Sequence, residues 1–157
     1  MTELRNEFSW SKSRDENFQT CPRQYYFNYY GYWGGWEKNA PERIRQIYLL
    51  KNLKNRLMWA GEKVHDCIKH TLKNLQRGIS VLSPDNIVSI TLDQMREEFR
   101  SSRERRYYQY PKTCALFEHE YEVEIEDSKW KKVAEDVEKC VRNFYNSETF
   151  AVLKELP

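Results

Sequence analysis

Between Leu57 and Gln76 the apolar and methyl-bearing positions Ala60, Val64, Cys67, Ile68, Thr71, Leu72 and Leu75 recur at steps of three and four. That spacing puts them on one side of a helix, because residues separated by a turn share a face. Gly78 follows where a C-cap glycine belongs, so the pattern predicts a helix ending at Gln76. A second long stripe, Trp130, Val133, Val137, Cys140, Val141 and Phe144, predicts another helix with Ser128 as its cap. Between them, Ser83-Pro84-Asp85 supplies a cap, a proline at the first helical position and an acidic second position. The helix they open carries Ile87, Ile90, Leu92, Met95 and Phe99 and is expected to run to about Arg105, where Tyr107-Tyr108-Gln109-Tyr110-Pro111 ends it.

Shorter elements flank these three. Ser9 or Ser11 can cap a first helix, with Asp15 and Glu16 in its early turns, and Pro22 predicts a break at Cys21-Pro22 because it lacks an N–H and disfavours helical angles at the residue before it. An aromatic segment, Arg23 to Tyr30, resumes after the break and is terminated by Gly31, Gly34 and Gly35. Ala40-Pro41-Glu42 opens a helix with Ile44, Ile47, Tyr48 and Leu50 at its apolar positions, and a short turn or helix is expected from Thr149 to Leu153. The alternation Tyr121, Val123, Ile125 is a weak strand signal, with Glu118, Glu120, Glu122, Glu124 and Glu126 read as an exposed acidic stretch.

Length and composition narrow the class. At 157 residues the chain holds about one domain, read as a single helical domain or the N-terminal portion of a larger one. Aromatic residues make up 15%, which argues against disorder because such rings need burial or a partner. Five glycines and five prolines are too few for a sandwich or barrel of many short strands. No stretch approaches a membrane span, and charges stand where a signal peptide would have its apolar block, so a cytoplasmic protein without membrane contact is expected. A formal charge of +2 carries no global argument for nucleic acid, which leaves that case to local motifs.

The local motifs are Phe8-Ser9-Trp10-Ser11-Lys12-Ser13, then Phe18-Gln19-Thr20-Cys21-Pro22-Arg23-Gln24-Tyr25-Tyr26, and later Gly61-Glu62-Lys63-Val64-His65. In order and separation this series resembles the N-terminal region of the RecB/AddB-type branch of the PD-(D/E)XK nuclease superfamily, over Phe8 to about Gln76. The resemblance implies Mg²⁺- or Mn²⁺-dependent cleavage of DNA phosphodiesters, with catalytic carboxylates and a lysine on a small mixed sheet. The expected fold is therefore mainly α within this chain, as the helical N-terminal part of an α/β restriction-endonuclease-like fold whose sheet lies beyond Pro157. No catalytic residue is expected within the chain itself. The resemblance assigns His65 as an auxiliary metal ligand, and it implies DNA and a helicase or other recombination and repair protein as partners.

Other features carry chemistry of their own. Arg23 with Tyr25 and Tyr26 has the makings of a nucleic-acid platform, rings for bases and guanidinium for phosphate. Some members of the family join a cysteine near Cys-Pro-Arg to an iron–sulfur cluster. Cys67, Cys114 and Cys140 lack the close spacing that ligation uses, so a cluster is not expected from this chain and Cys21 reads as a small thiol buried beside the kink. Pro84-Asp85 and Asp127-Ser128-Lys129 spell the superfamily motif, but both read as helix starts rather than strand ends. The basic run from Arg96 to Arg106 is interrupted by glutamates and reads as a solvated helix face. The alternative reading of the whole chain is a non-catalytic helical module that binds protein or nucleic acid through an aromatic surface.

Overall fold

A computed structural model describes residues 6–155. Among them there are eight α-helices and no strand: α1 (Lys12–Thr20), α2 (Pro22–Tyr29), α3 (Glu42–Lys51), α4 (Arg56–Gln76), α5 (Pro84–Arg103), α6 (Phe117–Glu120), α7 (Asp127–Tyr145) and α8 (Glu148–Glu155). A 3₁₀ turn at Arg106–Tyr108 follows α5. The chain is mainly α, as its periodicity predicts. No described helix is long and apolar enough to cross a membrane.

The long helices α4, α5 and α7 form the core. Thr71 Oγ1 of α4 meets Tyr145 Oη of α7 at 3.1 Å, near the C-terminal end of both helices, so these two run in the same direction. Asp85 at the start of α5 pairs with Arg142 near the end of α7 at 2.7 Å, so α5 runs opposite. Trp59, Cys67, Val88, Met95, Val133, Val137 and Val141 fill the space between the three, joined by Leu116 from the segment before α6. Leu116 is fully enclosed, and Val141 is too. Removing side chains of this size from water contributes about 1.5 to 3 kcal/mol each, which makes this bundle the main driving force for folding.

The caps explain where the elements start. Ser11 Oγ accepts from Arg14 N–H at 3.2 Å and Ser83 Oγ from Asn86 N–H at 3.3 Å, as their positions predict. Gly78 takes φ +66 just past α4, a left-handed angle that glycine adopts without strain. The expected cap at Ser128 is corrected: Glu126 occupies the cap position, and Ser128 lies inside the first turn, its hydroxyl donating to Glu126 Oε2 at 3.1 Å.

Three other expectations also change. The Tyr121 to Ile125 strand does not form; Arg105 donates to the carbonyls of His119 and Glu120 and Val123 N–H to that of Glu118, so the local backbone partners are consumed within a turn. The acidic stretch is not all exposed, because Glu118 is 4% accessible. Within α3 the buried residue is Leu49 while Leu50 is 42% exposed, and within α5 Val88 and Thr91 are buried while Ile90 faces solvent.

The N-terminal hairpin is built differently from the bundle. Neither α1 nor α2 contains a buried residue, and α1 packs on α2 through partly exposed rings. Besides direct contact between α2 and α3, Tyr32, Trp33 and Trp36 link the hairpin to Tyr48 of α3. Gly35 is required at this link, since a Cβ there would collide with Tyr48 and with the Ile44 carbonyl.

Candidate functional site

The periodic stripe of α4 divides in two once the helix is packed. Cys67 and Thr71 are buried and Ala60 and Val64 pack against the core that includes Cys67, whereas Ile68, Leu72 and Leu75 are left half-buried along the flank. These three, with Leu153 of α8, floor a cleft of about 950 Å³. His65 stands exposed at its side, about 100° around the helix from Val64, followed by Lys69 and Lys73 one and two turns on. The imidazole is thus on the open flank of α4, presented toward whatever occupies the cleft.

The electrostatics of the cleft are cationic. Lys69 and Lys73 line it and no carboxylate does. Glu62, one turn earlier, pairs with Lys54, and Asp66 is one residue around the helix. No three His, Cys, Asp or Glu side chains gather into a metal-holding group among the described residues. A hard divalent cation asks for several oxygen donors, and one imidazole beside two ammonium groups does not supply them. The residues present therefore do not by themselves fit the Mg²⁺ or Mn²⁺ that the family resemblance implies.

The Cys-Pro-Arg junction places its residues on different sides. Cys21 is extended (φ −160, ψ 104) between α1 and α2, and its Sγ accepts from Gln24 N–H at 3.4 Å, so the thiol caps α2. It is half-buried rather than buried, and Cys67, Cys114 and Cys140 lie in the bundle core, the segment before α6 and on the outer face of α7. Tyr25 turns into a ring cluster with Phe18, Tyr29 and Tyr30, at centroid distances of 5.3, 4.9 and 5.7 Å. Tyr26 points elsewhere and is 54% exposed, and Arg23 lies over Phe27 at 5.7 Å. Tyr25 and Tyr26 are therefore not one stacking surface: only Arg23 and Tyr26 face solvent, and Tyr25 contributes to a shallow pocket of about 410 Å³ with Phe8, Trp10 and Arg14.

The superfamily-like letters do not converge. Asp85 is held by Arg142, and Lys129 lies thirteen residues before Arg142 on α7, about 20 Å along the helix. Both are exposed residues in first turns of helices.

A polar network that periodicity did not reveal lies under α5. Ser102 Oγ accepts from Leu116 N–H and meets His119 Nδ1, each at 2.9 Å. Burial holds the His119 imidazole below its ordinary value, with Arg103 acting in the same direction and Glu118 against it. Glu118 accepts from Arg56 N–H at 2.9 Å and from its guanidinium at 3.2 Å, closing the start of α4. Glu120 accepts from both Tyr107 and Tyr108 hydroxyls at 2.6 Å, and with burial this pushes the Tyr107 phenol up. Ser102 is fully enclosed, so the Ser102–His119 pair is a structural clasp rather than a nucleophile and base. Glu118, His119 and Glu120 are adjacent in sequence, but their partners are twelve to sixty-two residues away, so no local pattern discloses the network.

No family model matches this sequence, and neither a curated protein nor a solved structure matches it.

Proposed function

We propose that these residues are the helical portion of a metal-dependent DNA nuclease of the PD-(D/E)XK, RecB/AddB-like type, and that they do not cut DNA on their own. The observation that carries this reading is His65. In the Gly61 to His65 motif it is the residue that the resemblance assigns to a metal, and it is exposed on the open flank of α4 beside an apolar-floored cleft. A flank of that kind suits a further layer docking on Ile68, Leu72 and Leu75, with the imidazole presented to it. Lys69 and Lys73 would attract phosphate there. Carboxylates and a catalytic lysine would come from residues outside this chain, and no catalytic step is assigned to the residues within it.

Incubation of this chain with single- and double-stranded DNA in Mg²⁺ or Mn²⁺ is expected to leave both intact. A longer protein, with a strand ending in Asp and a second bearing Asp or Glu, any residue, then Lys, is expected to cleave. In that protein His65→Ala should weaken Mn²⁺-dependent cleavage and leave the thermal midpoint in place. Cleavage by the present chain that disappears in Asp85→Ala or Lys129→Ala would overturn the assignment. A second reading is supported by the exposure of Phe8 (72%) and Trp10 (73%): a non-catalytic helical module that binds through this aromatic surface. A coding sequence without the two strands favours it.

A further inference from the structure

We propose that the cleft between α5 and α7, on a different face from His65, binds single-stranded nucleic acid. This goes beyond the nuclease reading, since it needs neither a metal nor catalytic carboxylates. The cleft has a volume of about 400 Å³. Trp59 and Met95 form its closed floor, and the half-buried rings of Phe99 and Trp130, edge to face at 4.9 Å, form an aromatic wall. His119 backs Trp130 at 5.4 Å, so the indole is supported from within the fold. The remaining wall is a row of guanidinium groups, Arg96, Arg100 and Arg103.

The spacing and partners of that row favour phosphates as the occupant. The three arginines fall at i, i+4 and i+7 on α5, about 6 and 4.5 Å apart along the axis, on the scale of the step between successive phosphates in a single strand. Arg96 pairs with Asp93, and Arg100 approaches Glu97 at 3.9 Å, with every side chain in these pairs more than 60% exposed. Exposed pairs of this kind contribute little and yield to a phosphate that accepts two parallel N–H bonds. Asp93 and Glu97 are not part of the cleft lining. Arg103 makes no ion pair among the described residues. A row of cations beside an aromatic wall matches the two halves of a nucleotide, phosphate and flat base, which an acidic peptide would satisfy only in part. A duplex, with its bases stacked inside, has no ring to offer the wall.

The test is fluorescence anisotropy of the chain with a short fluorescein-labelled oligothymidylate in low and moderate salt. Wild-type protein should bind, with affinity falling as salt rises. Combined Arg96→Glu, Arg100→Glu and Arg103→Glu should weaken binding by about tenfold or more and reduce the salt slope by about two, roughly 0.7 for each guanidinium–phosphate pair removed from a single strand. The triple alanine variant should show the same ranking, and it decides the question if circular dichroism finds the charge-reversed protein unfolded. Lys38→Glu with Lys139→Glu, exposed lysines that line neither cleft, should leave affinity within about twofold of wild type. A duplex of matched length and a polyglutamate competitor should both bind more weakly than the single strand. Absence of wild-type binding, arginine variants that bind normally, or equal binding of duplex or polyglutamate would each overturn the proposal. Loss confined to the lysine variant would also overturn it, while leaving the nuclease reading standing.

Discussion

Ser102 anchors two partners with one hydroxyl. It accepts from Leu116 N–H and shares a hydrogen bond with His119 Nδ1, each at 2.9 Å. Ser102→Ala strands both partners in a buried place and is expected to cost about 1 to 3 kcal/mol in urea unfolding. A loss below about 0.5 kcal/mol, the range of ordinary surface changes, would remove the clasp from the fold's supports. Burial of the same imidazole sets a pH dependence. Because the folded imidazole is held below its ordinary 6.5, the unfolded chain takes up a proton first as pH falls. The stability gained by keeping this buried imidazole neutral is present above about 6.5 and is lost as pH falls below that toward the depressed folded value. The thermal midpoint should therefore decline as pH falls below about 6.5, and His119→Gln should make that decline shallower. An unchanged profile in the variant would assign the decline to other groups.

At the level of elements, the α1–α2 junction shows how a local rule and a chemical detail combine. Pro22 breaks the helix by its missing N–H, which is readable from the residue alone. That Cys21 then caps α2 with its sulfur follows from the extended angles the break imposes. A hydroxyl is a better acceptor than a thiol, so Cys21→Ser should slow amide exchange in α2 and Cys21→Ala should hasten it, a difference of roughly 1 kcal/mol in local opening. Equal exchange in the two variants would show that the sulfur does not cap. The Tyr121 to Ile125 segment is the opposite case. Its alternation is real, but a strand needs a neighbour to pair with, and the backbone there is instead held by Arg105 and by turn bonds.

Across the whole molecule, stability is unevenly spread. The bundle of α4, α5 and α7 carries the enclosed side chains, while α1 and α2 contain no buried residue and rest on rings that stay partly wet. Hydrogen exchange should therefore release the amides of 12–29 well before those at the centres of α4 and α7. Simultaneous release would show that the hairpin and bundle open as one unit. The arrangement also bears on the proposed nuclease role, since the hairpin holding Cys-Pro-Arg and the helix holding His65 are separate in energetics although neighbours in the motif series.

The helices were determined by the sequence alone wherever the cause is local. Periods of three and four, the caps at Ser11 and Ser83, the break at Pro22 and the glycine after α4 act within a turn of the residues that specify them. His65, too, could be singled out as chemistry-bearing from its motif. Which part of a stripe is buried was decided by tertiary packing: Cys67 and Ile68 are adjacent on α4, yet α5 and α7 enclose the first and leave the second lining a cleft. The split between Tyr25 and Tyr26, the enclosed Glu118 and the clasp at His119 depend in the same way on which surfaces meet. Their partners come together only when distant elements exclude water between them, and a local pattern has no means of choosing among surfaces that far along the chain.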